Sequence, residues 1–226
     1  MISKNFIKRV ITSVPLVILL GFSFNNPIVL TISLITVSII SWIEFNSLIS
    51  KIFIKNNYKI KFYKLLINFL SIIYLTLFSS LIFLGISQDN LKLLMFFLFS
   101  ICISSDIGGL LFGKFFKGRK LTKISPNKTI SGSIGSFLLS LVLVPFFRPF
   151  FNIEFSYLYK LILLAVLVSF YCQIGDLFIS FLKRKAKVKD TGFVLPGHGG
   201  ILDRIDGMLL AVPLGMATWQ FLEIII

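Results

Sequence analysis

Long apolar runs constrain the fold of this chain more than any other feature of its sequence. A helix that crosses a bilayer needs about 20 mainly apolar residues. Seven runs approach that length, at about residues 7–24, 27–47, 65–86, 91–113, 130–150, 159–182 and 205–226. Charged residues make up 14% of the chain, well below the roughly 25% usual in soluble domains. The sequence therefore predicts an all-α, polytopic membrane bundle of about seven transmembrane helices, with 1–226 as a single membrane-embedded domain.

Basic residues predict the orientation of this bundle. All but three of the 23 Lys and Arg residues fall in the N-terminal segment and in the loops 48–64, 114–129 and 183–204. The exceptions are Lys92, Arg148 and Lys160. Loops rich in Lys and Arg stay on the cytoplasmic side of a membrane. The N-terminus is therefore predicted to be cytoplasmic, and the net charge of +14 reflects basic cytoplasmic loops rather than nucleic-acid binding.

Acidic residues are rare, and most of them lie in unexpected places. Five of the nine fall inside an apolar run, at its cytoplasmic edge or in the polar stretch before the last run: Asp106, Asp176, Asp190, Asp203 and Asp206. A charge at the bilayer centre costs about 2.5 kcal/mol or more, so such residues are functional candidates by default. For Asp106 and Asp176, an ion pair that holds helices together is the alternative. Glu44, near the cytoplasmic end of the second run, is a further candidate.

The polar stretch before the last run combines groups that suit metal and phosphate. Asp203 and Asp206 are three residues apart and so share a helix face, where their oxygens suit Mg²⁺. One of them could instead serve as a helix cap. Lys183, Arg184 and Lys187 are predicted to share another helix face. Nearby glycines allow close backbone approach, and the helix that follows is expected to present free N–H groups to an anion.

Two further features of the basic loops remain open on the residues alone. His198 is the only histidine, and phosphate contact, proton transfer and a structural role are all compatible with it. The stretch 125–133 resembles a phosphate loop in composition but lacks the Walker A pattern. By the predicted topology it lies on the same membrane face as the polar stretch before the last run. Together these groups favour phosphoryl or nucleotidyl transfer to a lipid at the cytoplasmic edge, where catalysis is mainly positioning and charge stabilisation.

The segment Ser180–Asp206 resembles the defining motif of the phosphatidate cytidylyltransferases, also called CDP-diacylglycerol synthases. In this chain the motif reads S-x-L-K-R-x4-K-D-x-G-x2-L-P-G-H-G-G-x-x-D-R-x-D. The stretch Gln173–Leu177 and the serine-proline-lysine-threonine loop at Ser125–Thr129 resemble two further family stretches. The resemblance is strong over about residues 100–210. It divides the chain into N-terminal spans, 1–95, and a catalytic half, 96–226.

This resemblance implies a reaction and a set of site residues. CTP and phosphatidic acid would give CDP-diacylglycerol and pyrophosphate with Mg²⁺, and K⁺ would be a second cation. The implied metal ligands are Asp176 and Asp203, with Asp206 and Asp190 nearby. The implied catalytic and phosphate-handling residues are Asp203, Asp176, Lys183, Arg184, His198 and Arg204. The implied substrate-binding residues are Ser125, Lys128, Thr129, Lys189, Gly197, Gly199 and Gly200. A homodimer in the bacterial inner (plasma) membrane is also implied.

The chain departs from the family near Asp106, where Gly109-Leu110 and Gly113-Lys114 replace the usual Ala-Tyr and Gly-Arg, and at Ser131. Two other functions remain alternatives. Family members often carry a glutamate two residues after the Lys-Thr pair, where this chain has Ser131. A CTP-dependent polyisoprenoid or phytol kinase would use similar phosphate loops but would transfer the γ-phosphate. A transporter or lipid-binding scaffold would use the acids as an ion path, but they cluster at one face and no inverted repeat is evident.

Overall fold

Long helices dominate the part of the chain that the structure describes. The computed structural model describes residues 15, 18–19, 21–54, 57–122, 125, 128–151, 154–195, 197 and 199–224. The long helices in these ranges are α1 (Pro27–Ile52), α2 (Tyr58–Ser87), α3 (Asp89–Phe116), α4 (Ile130–Phe147), α5 (Leu158–Lys185) and α6 (Leu202–Ile224). Each is long and apolar enough to cross a membrane. The last six predicted spans are confirmed, whereas most of the first, at 7–24, lies outside the described residues.

The exposed faces of these helices are apolar, as expected of helices in contact with lipid. In α1, five isoleucines that recur every three or four residues are each between 53% and 71% exposed. They are Ile28, Ile32, Ile35, Ile39 and Ile43. That spacing places them on one side of a helix, and soluble proteins rarely expose so continuous an apolar face. The chain is therefore a multi-pass membrane protein.

The first of two compact units comprises residues 1–87 and 182–205. Asn26 begins α1 as its N-cap, since its side-chain oxygen accepts the N–H of Ile28 at 3.0 Å, and Pro27 fits the first helical position. Polar contacts join α1 to α2: the Ser38 and Ser79 hydroxyls are 2.6 Å apart. The polar stretch 182–205 belongs to this unit, so α1 can supply side chains to it.

The second unit comprises residues 88–181 and 206–226, and small residues set its helix spacing. A Cβ at Gly108 of α3 would collide with the backbone of Gly135 of α4, so these helices approach to a distance that only glycine permits. The Ser105 hydroxyl lies 3.0 Å from that of Ser169 and thereby joins α3 to α5. Cys102 and Cys172 are free and buried in this unit. This packing fixes the end of α3 and the start of α4, between which the loop 117–129 lies.

Candidate active site

A tight hairpin lies within the signature segment, which is Ser180–Asp206. Leu195 and Gly199 exchange two backbone hydrogen bonds, at 2.9 and 3.1 Å. Gly197 and Gly199 have φ angles of 80° and 82°, in the left-handed region that glycine adopts without a steric penalty. Gly197 and Gly199 are therefore required by the turn itself. His198 lies outside the described residues, so its role stays a prediction.

The Asp203 carboxylate is the centre of a compact polar cluster in the first unit. Its Oδ1 lies 2.7 Å from Nζ of Lys183, and the two side chains are only 6% and 14% exposed respectively. Its Oδ2 accepts the backbone N–H of Thr191 at 2.8 Å and that of Gly200 at 3.1 Å. The structure thus brings together Asp203, Lys183 and Gly200, which were predicted as site residues, and adds Thr191, which was not.

A second carboxylate, that of Glu44 in α1, holds the same part of the chain. Glu44 is 4% exposed. It accepts the Thr191 hydroxyl at 2.8 Å and the N–H groups of Ile201 at 3.1 Å and Leu202 at 2.9 Å. The sequence marked Glu44 only by its place near the end of an apolar run. No spacing rule could connect it to residues more than 140 positions away.

The four successive amides from Gly199 to Leu202, at the start of α6, are all hydrogen-bonded within the chain, so for these amides the prediction of free N–H groups is wrong. The Gly199 amide is bonded to Leu195, the Gly200 amide to Asp203, and the next two amides to Glu44. The positive end of the helix attracts anions, and here the chain's own carboxylates take that place. Contact of substrate with Gly197, Gly199 or Gly200 stays a prediction.

The basic residues of the signature segment divide at the end of α5. Lys183 and Arg184 lie in its last turn, but α5 ends at Lys185 and Lys187 has a left-handed φ of 56°. The prediction that Lys187 shares their helix face is therefore wrong, because the chain leaves the helix before it. The predicted phosphate-handling and metal residues Arg184, Lys189, Asp190 and Arg204 are exposed.

The loop between α3 and α4 carries a separate polar cluster in the second unit. Two backbone hydrogen bonds connect the two ends of the loop, from Leu121 N–H to Lys128 O at 2.8 Å and from Ile130 N–H to Arg119 O at 2.9 Å. Lys128 forms an ion pair with Asp176 of α5. This pairing joins a predicted substrate ligand to a predicted metal ligand. The backbone oxygen of Ser125 accepts the Lys128 N–H at 3.1 Å, so the loop conformation also holds Ser125 beside Lys128.

Ser131, which stands where family members often have glutamate, holds this loop together. Its hydroxyl accepts the Gly118 N–H at 3.2 Å and lies 3.1 Å from the Thr129 hydroxyl. Thr129 in turn is the N-cap of α4 and accepts the Gly132 N–H at 3.1 Å. Both hydroxyls therefore stabilise the loop, whatever contact Thr129 also makes with substrate.

The remaining predicted acids lie near close contacts between the helices of the second unit. Asp206 accepts the N–H of Gly207 at 2.8 Å, and a Cβ at Gly175 of α5 would lie 2.5 Å from the Asp206 backbone oxygen. Asp106 lies on α3, with an oxygen 3.9 Å from Sγ of Cys172.

The described carboxylates do not form a metal cage of their own. Among the described residues, no group of three or more His, Cys, Asp or Glu side chains is placed to hold a metal ion. Asp203 and Asp176 are each paired with a lysine instead. Mg²⁺ is usually held by one or two carboxylates plus substrate phosphates rather than by an all-protein cage. A metal held by either aspartate would therefore need substrate phosphate to complete its coordination.

Comparisons with known proteins identify the relatives of this chain. A sequence model of the cytidylyltransferase family matches residues 1–222. Relatives named phosphatidate cytidylyltransferase occur in Rickettsia felis (42% identity over 60% of this chain), Rickettsia conorii (44% over 58%) and Bacillus subtilis (43% over 52%). The matched segments cover 62%, 60% and 45% of those relatives' own lengths.

Replacement of Thr129 tests the loop anchor. Thr129→Ala removes the N-cap oxygen of α4 and should lower the free energy of unfolding by about 0.5–2 kcal/mol. Thr129→Ser keeps that oxygen, so its free energy of unfolding should fall much less. Thermal or denaturant unfolding in detergent compares the two variants with the unmodified chain. Equal losses in both variants would contradict the capping role.

Proposed function

Because this chain belongs to the cytidylyltransferase family, we propose that it transfers the cytidylyl group of CTP to phosphatidic acid, giving CDP-diacylglycerol and pyrophosphate for phospholipid biosynthesis. The observation that carries the proposal is the family match over residues 1–222, within which the signature segment Ser180–Asp206 keeps every residue of the motif. The names of the bacterial relatives point to the same reaction. The apolar helices would let a membrane lipid act as the second substrate.

In the proposed reaction, an oxygen of the phosphatidate phosphate attacks the α-phosphorus of CTP. The bond from the α-phosphorus to the oxygen that bridges to the β-phosphorus breaks, and pyrophosphate leaves with that electron pair. The lipid phosphate is already largely ionised at neutral pH, so no strong general base is needed. Catalysis then depends on orientation and on offsetting negative charge, which suits a chain that carries paired lysines rather than a catalytic dyad.

The chain's own cations would hold the triphosphate. Lys183 is held by Asp203 at 2.7 Å and Lys128 by Asp176, so both ammonium groups are positioned before substrate binds. The exposed Arg184, Lys189 and Arg204 would contact phosphate oxygens from the surface of the signature segment, and His198 would add a further contact. Ser125 and Thr129 would do so from the loop before α4.

The proposal also assigns ligands for the cations and a setting for the enzyme. Asp176 and Asp203 would each serve as Mg²⁺ ligands, with Asp206 and Asp190 as further candidate ligands and K⁺ as a second cation. When bound, Mg²⁺ neutralises phosphate charge and polarises phosphoryl oxygens. The bacterial relatives and the basic loops support a multi-pass enzyme of the inner (plasma) membrane, with its N-terminus and signature segment cytoplasmic. The homodimer follows from the family resemblance.

The position of the label in CTP tests the reaction type. Membranes that contain this chain, Mg²⁺ and phosphatidic acid should transfer label from the cytosine ring of CTP into chloroform-soluble lipid, because the cytidylyl group is transferred whole. Label in the γ-phosphate should appear in pyrophosphate and not in lipid. Membranes without the chain are the control. Lipid labelled only from the γ-phosphate would show a kinase and would overturn the proposal.

The two carboxylates that are proposed to bind Mg²⁺ can be tested separately by substitution. Asp203→Asn and Asp176→Asn keep side-chain shape but remove the charge, so each should lower kcat for CDP-lipid formation by about 100-fold or more, as loss of a group that stabilises charge does. Asp89→Asn is the matched control, because Asp89 lies exposed in the first turn of α3, which the topology places on the outer side. Near-normal Mg²⁺-dependent activity in either site variant would contradict its assignment.

A further inference from the structure

Glu44 is the buried acid for which neither the motif nor the proposed reaction has a use. A carboxylate in an apolar helix is costly unless it is well hydrogen-bonded. Glu44 has three donors, the Thr191 hydroxyl and the amides of Ile201 and Leu202, and all three lie in the signature segment. Within the described part of the chain, its hydrogen bonds are therefore made with the segment that carries Asp203.

We propose that Glu44 is a positioning residue: it fixes the backbone at Thr191 and at Ile201–Leu202 and so sets the direction of the Asp203 carboxylate. This role rests on the proposed cytidylyl transfer and extends it to a residue of α1. Glu44 itself would touch neither the nucleotide nor the lipid, because its two oxygens are already hydrogen-bonded and it is 4% exposed. It acts through the chain that it holds.

Thr191 connects the two carboxylates directly. Its hydroxyl oxygen lies 2.8 Å from Oε2 of Glu44 and 3.0 Å from Oδ2 of Asp203. The single hydroxyl proton is donated to one carboxylate at a time, and the Thr191 N–H remains on Asp203 at 2.8 Å. A shift of Thr191 therefore moves a donor of Asp203 along with the donor of Glu44.

Two glycines of the signature segment make room for Glu44. A Cβ at Gly192 would lie 2.8 Å from the Glu44 carboxyl carbon, and one at Gly200 would lie 2.6 Å from it. Real Cβ atoms do not approach so closely, so an alanine at either position would displace the carboxylate or the segment. Gly192 is half-buried and has no assigned contact to substrate. A substitution at Gly192 therefore tests the contact between Glu44 and the signature segment independently of a change at Glu44.

The substitution Glu44→Gln tests the proposal at nearly constant volume. Glutamine replaces one acceptor oxygen by an NH₂ group that would face the donors of the segment. We expect kcat for CDP-lipid formation to fall by about 10- to 100-fold, the loss typical of removing a residue that orients a metal ligand. KM for CTP should change by less than about threefold, because the groups that contact the triphosphate remain. Amide hydrogen exchange in 190–203 should accelerate, while exchange in 208–216 should not.

Asn46→Ala is the matched control. Asn46 lies two residues further along α1 and accepts a hydrogen bond from Asn68 of α2 at 2.9 Å, so its loss weakens the bundle without touching the signature segment. It should leave both kcat and exchange in 190–203 close to normal. If Asn46→Ala lowered kcat and accelerated this exchange as much as Glu44→Gln, the role of Glu44 would be general stability and the proposal would fail.

Gly192→Ala provides the second, independent variant. It should lower kcat to a similar extent as Glu44→Gln. The double variant should have a kcat little lower than that of either single variant, because both substitutions disturb the same contact. Losses that multiply would overturn the proposal, as would wild-type kcat and exchange in Glu44→Gln. If the unmodified chain made no CDP-lipid while Glu44→Gln still accelerated exchange in 190–203, the proposed function would fail and the anchoring by Glu44 would stand.

Discussion

The N–H groups at the start of α6 need acceptors, and the way the chain supplies them determines the candidate site. The first amides of any helix have no partner within the helix. Glu44 takes those of Ile201 and Leu202, and Asp203 takes that of Gly200. The two carboxylates thereby tie together α1, the glycine-rich hairpin and the first turn of α6.

This arrangement changes the expected mode of phosphate recognition. A glycine-rich loop before a helix commonly binds phosphate through backbone amides, but here the amides from Gly199 to Leu202 are hydrogen-bonded within the chain. In the proposed reaction the triphosphate must instead be held by side chains and by metal. Lys183 and Lys128 already lie against aspartates, so each lysine is fixed in place and gains a second anionic partner when phosphate binds. The pairing also keeps the acids charge-balanced within an apolar bundle.

The sequence predicts the fold well, but not the contacts that organise the candidate site. Six of the seven predicted spans appear as helices because run length and apolar composition are local properties. Asp203, Lys183 and the hairpin glycines were also predictable, since they fall in one motif. Glu44 was only a candidate by position, because its partners are distant in sequence and its contacts depend on tertiary packing. The free amides were wrongly predicted for the same reason.

Carboxylates of the chain itself accept the amides at the start of α6 and leave no place there for phosphate. An experimental structure with Mg²⁺ and CTP bound would test this arrangement. We expect Glu44 still to accept the Ile201 and Leu202 amides while phosphate oxygens contact lysine and arginine side chains. A phosphate oxygen bonded to those two amides, with Glu44 displaced, would contradict it.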